Sequence, residues 1–199
     1  MIMRNVQKLT KSDVEGLRGE LFHMILFSMA WALIGEYSLN FRDYFLGAGL
    51  VLLVVIFLAI YSIKLFNLED SLKDEAAAAG DRKEFKRDRS YALILVFEGA
   101  AILVTWILLL NFHHQDWLIS CFALIAGLHF FPLARLIRQH SYYFLGTFIC
   151  ILAVAGYLLL SLALVADHNV NTLVAYGCAA GAAVDGVRIM MRTRMELLR

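Results

Sequence analysis

The chain predicts an all-α, polytopic membrane protein: six transmembrane helices arranged as three hairpins, with both termini cytoplasmic. Three observations carry that expectation. Hydrophobic residues make up 61% of the 199 and the mean hydropathy is +0.69, while charge is confined to short blocks. Stretches near twenty residues with few charges recur, each long enough to cross a hydrocarbon layer of about 30 Å. If those stretches cross the membrane in turn, every Lys and Arg except Arg42 falls on one side, and the positive-inside rule makes that side the cytoplasm.

The whole chain, 1–199, reads as one transmembrane domain. Its tail, 1–19, carries Arg4, Lys8, Lys11 and Arg18. The first predicted span is 20–37. Ala30-Trp-Ala32 has the small-x-small form of a signal-peptide cleavage site, but the mixed-charge leader is long for a signal, so an uncleaved first helix is expected. The second span, 43–66, contains VLLVVIFLAI (Val51–Ile60), which lacks the alternation of a barrel strand. A run of this kind in lipid must satisfy its own backbone groups and is therefore helical. The charged connector 67–90 follows, acidic at Glu69, Asp70, Asp74 and Glu75, then basic from Arg82 to Arg89. It is helix-prone with a break at Gly80. It reads as a solvated connector whose basic end meets anionic headgroups, or as a docking site for a soluble partner.

The third span is 91–111, the fourth 117–137, the fifth 142–165 and the sixth 171–191. Within the sixth, Gly177-x-x-x-Gly181 and Ala182-x-x-x-Gly186 let another backbone approach closely. That backbone belongs either to a neighbouring helix or to a second copy, a homo-oligomer through Gly177, Gly181 and Gly186. The cytoplasmic tail, 189–199, mixes bases with Ile, Met and Leu and suits a helix lying along the membrane surface.

Ionisable side chains inside a bilayer cost about 2.5–3.5 kcal/mol at a helix centre and mark candidate sites. Four stand out: His23, Glu98, His129 and Asp185. At a rise of about 1.5 Å per residue, each lies within about 14 Å of a cytoplasmic basic residue (Arg18, Arg89, Arg135 and Arg188 respectively). Helices of opposite direction thus put them independently in the inner half of the bilayer. Pro132 removes the donor to the Leu128 carbonyl and is expected to bend the fourth helix beside His129. Arg135, at the interface, snorkels out or pairs inward. The expected ligand-binding set is His129, Glu98, His23, Asp185 and Arg135, facing the cytoplasm and taking a small polar or cationic ligand. Against it stands a purely structural reading, in which these groups are interhelical hydrogen bonds, Asp185 pairs with Arg188 at i, i+3 and His23 is merely wet. The outer half, with Glu36, Ser120, Tyr157 and Ser161, is too sparse for a continuous ion path.

Other chemistry lacks support. Cys121, Cys150 and Cys178 are odd in number and form no CxxC, so neither a disulfide framework nor a zinc site is suggested. His113, His114, Asp116, Asp167 and His168 cluster in predicted outer loops but match no metal motif. No HExxH, GxSxG, Walker loop or GxGxxG occurs, so no catalytic residue and no cofactor is assigned. A net charge of +1 argues against nucleic acid as a partner.

The segment GLHFFPLARLIRQHSYYFLG (Gly127–Gly146) resembles a pattern in small uncharacterised bacterial multi-pass inner-membrane proteins: a His-aromatic-x-Pro-Leu-Ala core, then an aromatic restart with glycine. The resemblance implies a bacterial inner (plasma) membrane, and no activity. Two functions are weighed on the residues: a membrane protein with a polar, cytoplasm-facing site for small-molecule binding or transport, and an interaction or assembly component without small-molecule chemistry. An enzyme acting on a lipid-soluble substrate ranks behind both.

Overall fold

The computed structural model describes residues 11–40, 45–71, 81–163 and 165–197. Six α-helices account for nearly all of them: α1 (Lys11–Ser38), α2 (Leu46–Ser71), α3 (Asp81–Asn111), α4 (Leu118–Ile137, behind a 3₁₀ turn at Gln115–Trp117), α5 (Ser141–Ser161) and α6 (Asp167–Leu197). Each contains a segment long and apolar enough to cross a membrane. No strand occurs among the described residues. The protein is an all-helical, multi-pass membrane protein.

Four helices run further than their predicted spans: α2 continues to Ser71 and α3 begins at Asp81, both inside the connector expected at 67–90, and α1 and α6 are also longer. α1 begins at Lys11 rather than near residue 20, because Val14, Leu17 and Leu21 continue its apolar face and pack into the core. Their spacing of three and four residues keeps them on one side of the helix. α6 continues without a break through Leu197. Ile189, Met190 and Thr193 are buried, and the Thr193 hydroxyl donates back to the Ile189 carbonyl at 2.8 Å, so the tail expected at 189–199 starts as packed transmembrane helix. Residues 72–80, which hold Asp74, Glu75 and Gly80 of the connector, lie outside the described residues, as does Arg42.

α1 and α6 form the centre and pack most extensively against each other. α2 lies against α1; α5 bridges α6 to α4; α3 rests on α4 at the far edge. None of the apolar window of α3 is buried inside the bundle, against half of that of α6. Phe97, Leu53, Phe144 and Val184 point outward. A soluble protein cannot leave such a surface bare; here it faces lipid.

Where the hydrophobic effect gives no drive between helices, close backbone contact takes over. A Cβ on Gly127 would lie 2.6 Å from Cys150 Sγ, and one on Gly146 would lie 2.8 Å from the Gly127 carbonyl oxygen. Only hydrogen fits at this α4–α5 crossing. The connection is equally tight: Arg138 takes a left-handed conformation (φ 60°), and its amide and that of Gln139 both return to the Ala134 carbonyl, closing the helix end. The small residues of α6 are used in the same way, within the chain. Side chains at Gly177, Gly181 and Gly186 would strike Leu152, Phe148 and Leu58 respectively.

Candidate functional site

Three of the four residues singled out by depth, His23, Glu98 and His129, meet. His129 projects from α4 into the bundle and is 6% exposed. Its Nδ1 lies 3.2 Å from Glu98 Oε1 of α3. Neither ring nitrogen of His129 has an aligned hydrogen-bond partner, so the two side chains touch without a directional bond. His23 of α1 stands edge-on to the His129 ring, with centroids 5.9 Å apart. The Tyr91 hydroxyl of α3 bonds His23 Nδ1 at 3.0 Å, while His23 Nε2 is buried without a partner. His23 is half-buried, held among α1, α3 and α4. Phe27 and Phe130 pack around both imidazoles.

The other two expected members stand apart. Asp185 is 6% exposed, but its neighbour is Ser141 at the start of α5, whose hydroxyl donates across 3.5 Å, a long and weak bond. No ion pair joins Asp185 to Arg188, which is exposed. Arg135 is also exposed and makes no hydrogen bond or ion pair among the described residues. Pro132 lies within α4 on an exposed face, beside the outward Leu128. It acts from outside the bundle and does not enter the histidine cluster.

A cavity of about 510 Å³ opens beside the cluster, between α1, α3, α4 and the start of α5. That volume falls within the range of about 300–1,000 Å³ typical of small-molecule sites. Glu15, Glu20, His23, Tyr91 and Tyr142 supply its polar groups; Phe22, Leu26, Leu95, Leu133, Leu136 and Ile137 its apolar walls. All belong to one end of the bundle: the starts of α1, α3 and α5 and the close of α4. Gly16 and Gly19 help to form the space, since a Cβ at either would meet nothing within 4 Å. His23 joins cavity and cluster, for it lines the first and touches the second, whereas His129 and Glu98 do not reach the cavity wall.

Tyr142 is unusual. It is 1% exposed yet lines the cavity, its ring centroid 5.7 Å from that of Phe130. Glu20 sits in a relay: its Oε2 accepts from Gln139 Nε2 at 3.0 Å, and Gln139 Oε1 accepts from Arg192 Nη1 at 2.9 Å. Arg18, one turn from Glu15, turns to the other side of α1, its guanidinium 5.2 Å above the Phe66 ring of α2.

A second polar knot occupies the opposite end of the bundle. Glu36 of α1 is fully buried; its Oε1 accepts from the Tyr176 hydroxyl of α6 at 2.5 Å and from the Ala48 amide at 3.0 Å. The Ala48 N–H belongs to the first turn of α2, whose positive end favours a carboxylate. The Tyr176 ring is wedged between α1 and α2: a Cβ on Gly35 or on Gly47 would lie 2.9 or 2.5 Å from it. Elsewhere at this end, His114 stacks on Trp117 with centroids 4.5 Å apart, and no group of three metal-ligating side chains assembles among the described residues.

Sequence reasoning passed over Tyr91, Tyr142, Glu15 and Glu20. Tyrosines near a membrane interface are ordinary, Glu15 falls in the expected tail 1–19, and Glu20 stands at the very start of the first predicted span. Glu36 was visible, but nothing linear ties it to Tyr176, 140 residues away.

The model of a family of unknown function, DUF7010, matches residues 84–180. The match takes in Tyr91, Glu98, His129 and Tyr142 and leaves out all of α1. No curated protein and no solved structure matches the chain.

Proposed function

We propose that this protein is a membrane-embedded binding protein whose small-molecule site is the cavity between α1, α3, α4 and α5, with the His23–His129–Glu98 cluster behind it. The observation that carries this reading is the cavity itself: polar side chains from α1, α3 and α5 converge on one space of ligand size. In the proposed topology the helices insert as three hairpins, with both termini in the cytoplasm of a bacterium and the cavity opening to that side. The arrangement favours binding over through-transport. Polar groups gather at the cavity end, while the far end is closed by Glu36, Tyr176 and the packed core between. The assembly reading loses its strongest sequence argument, because Gly177, Gly181 and Gly186 are filled by side chains of the same chain.

Site-directed labelling tests the reading. In a variant with Cys121, Cys150 and Cys178 replaced by alanine, a cysteine placed at Leu136 should react with a membrane-impermeant maleimide in inverted inner-membrane vesicles and not in intact cells. A cysteine at Ile151, exposed on the lipid side of α5, should react from neither side. Labelling of the Leu136 position only from outside the cell would overturn the topology; no labelling from either side would remove the solvent-accessible site.

A further inference from the structure

We propose that the cavity takes one acyl chain of a membrane lipid, admitted sideways from the surrounding leaflet through the gap between α1 and α3. This rests on the reading of the cavity as a binding site and specifies its ligand class.

The way in is lateral. Among the described residues α3 packs along α4 and not along α1; Tyr91 and His23 meet across the gap. The walls on either side of it open outward. Phe22 and Leu26 of α1 are each more than half exposed and Leu95 of α3 is 37% exposed, yet all three line the cavity. Around apolar helices of this length that exterior is lipid, so the space is a groove on the membrane-facing side of the bundle.

Its polarity is graded as a lipid's is. On α1 the lining passes from Glu15 and Glu20 to Phe22 and Leu26, and on α3 from Tyr91 to Leu95. Both helices start at this end of the bundle, so the polar groups stand outermost and the apolar ones further in. Leu26 follows Glu15 by 11 residues, or about 16 Å at about 1.5 Å per residue. One leaflet supplies about half of a hydrocarbon layer of about 30 Å. The groove therefore has the reach of one chain in one leaflet, with its mouth at headgroup level. His23, at mid-groove, keeps its polar atoms from that chain: Nδ1 is bonded to the Tyr91 hydroxyl and Nε2 is buried. The hydrophobic effect gives no drive between a lipid and an apolar wall already in lipid, so retention rests on close packing along the groove.

The test is native mass spectrometry of the full chain, purified in mild detergent and titrated with palmitoyl-oleoyl phosphatidylethanolamine. Wild type should keep one lipid at collision energies that strip the others. Gly19→Leu fills the groove at a site where a Cβ meets nothing within 4 Å, and should weaken that retention by about tenfold or more, as overpacking does. Leu95→Trp, from the opposite wall, should act likewise. Gly99→Leu, equally free of contacts but away from the groove, should leave retention unchanged. Thermal unfolding of each variant in the same detergent separates a filled groove from a lost fold. If both groove variants fold and retain the lipid as wild type does, if wild type retains none, or if Gly99→Leu loses as much as they do, the acyl-chain class is overturned. The cavity is decided separately by the Leu136 cysteine. Labelling from the cytoplasmic side without lipid retention leaves a site entered from water; the absence of both removes both statements.

Discussion

Replacing Glu36 with alanine asks whether a single buried carboxylate holds one end of the bundle together. The side chain is fully buried and accepts two hydrogen bonds, from the Tyr176 hydroxyl and the Ala48 amide. Its removal takes the charged acceptor from two part-buried hydrogen bonds, at about 1–3 kcal/mol each. It also removes Glu36 Oε2, itself buried and unpartnered, which offsets about 1–3 kcal/mol of that loss. The net destabilisation is about 2–3 kcal/mol, or roughly 5–10 °C in Tm for a chain of this size. Glu36→Gln keeps an acceptor oxygen for both donors and sacrifices only charge at the α2 N-terminus, so it should lie within about 1 kcal/mol of wild type. The assay is thermal unfolding of purified protein in mild detergent, followed by circular dichroism and by the fraction remaining monodisperse. Wild-type stability in Glu36→Ala, or an equal fall in the alanine and glutamine variants, would refute the argument that acceptor oxygens rather than bulk or charge hold the knot.

The α4–α5 crossing makes a sharper steric prediction: Gly127→Ala and Gly146→Ala should each cost about 1–3 kcal/mol by overpacking. Gly99→Ala, whose Cβ meets nothing within 4 Å, should be neutral or stabilising by up to about 1 kcal/mol; equal effects at the three sites would contradict the contact geometry. Tyr91→Phe deletes the bond to His23 Nδ1 and should lower stability by about 1 kcal/mol, read by unfolding in the same detergent. A double-mutant cycle between Glu98→Leu and His129→Leu should show coupling of about 0.5 kcal/mol or more. Arg135→Ala, exposed and unpartnered, should stay within about 0.5 kcal/mol of wild type; a larger effect would return Arg135 to the site.

By itself the sequence determined the class of the protein and the depth of its polar groups. Backbone hydrogen bonding in lipid leaves a long apolar run no alternative to a helix, so Val51–Ile60 declared its state without any tertiary partner. Fixed rise per residue did the rest: counting from Arg18, Arg89 and Arg135 placed His23, Glu98 and His129 at one level, and they meet there. What counting along the chain does not supply is azimuth, the direction in which each side chain leaves its helix. That depends on which helices become neighbours, and close approach at Gly127, Gly146, Gly35 and Gly47 selects them. Asp185 shares the depth of the cluster but faces Ser141, and Arg135 faces outward. The cavity is a property of several helices at once, since α3 stands off α1 far enough to leave space that Tyr91 bridges. Only packing creates such a space, because apart from His23 its walls come from residues that carry no mark in a linear reading.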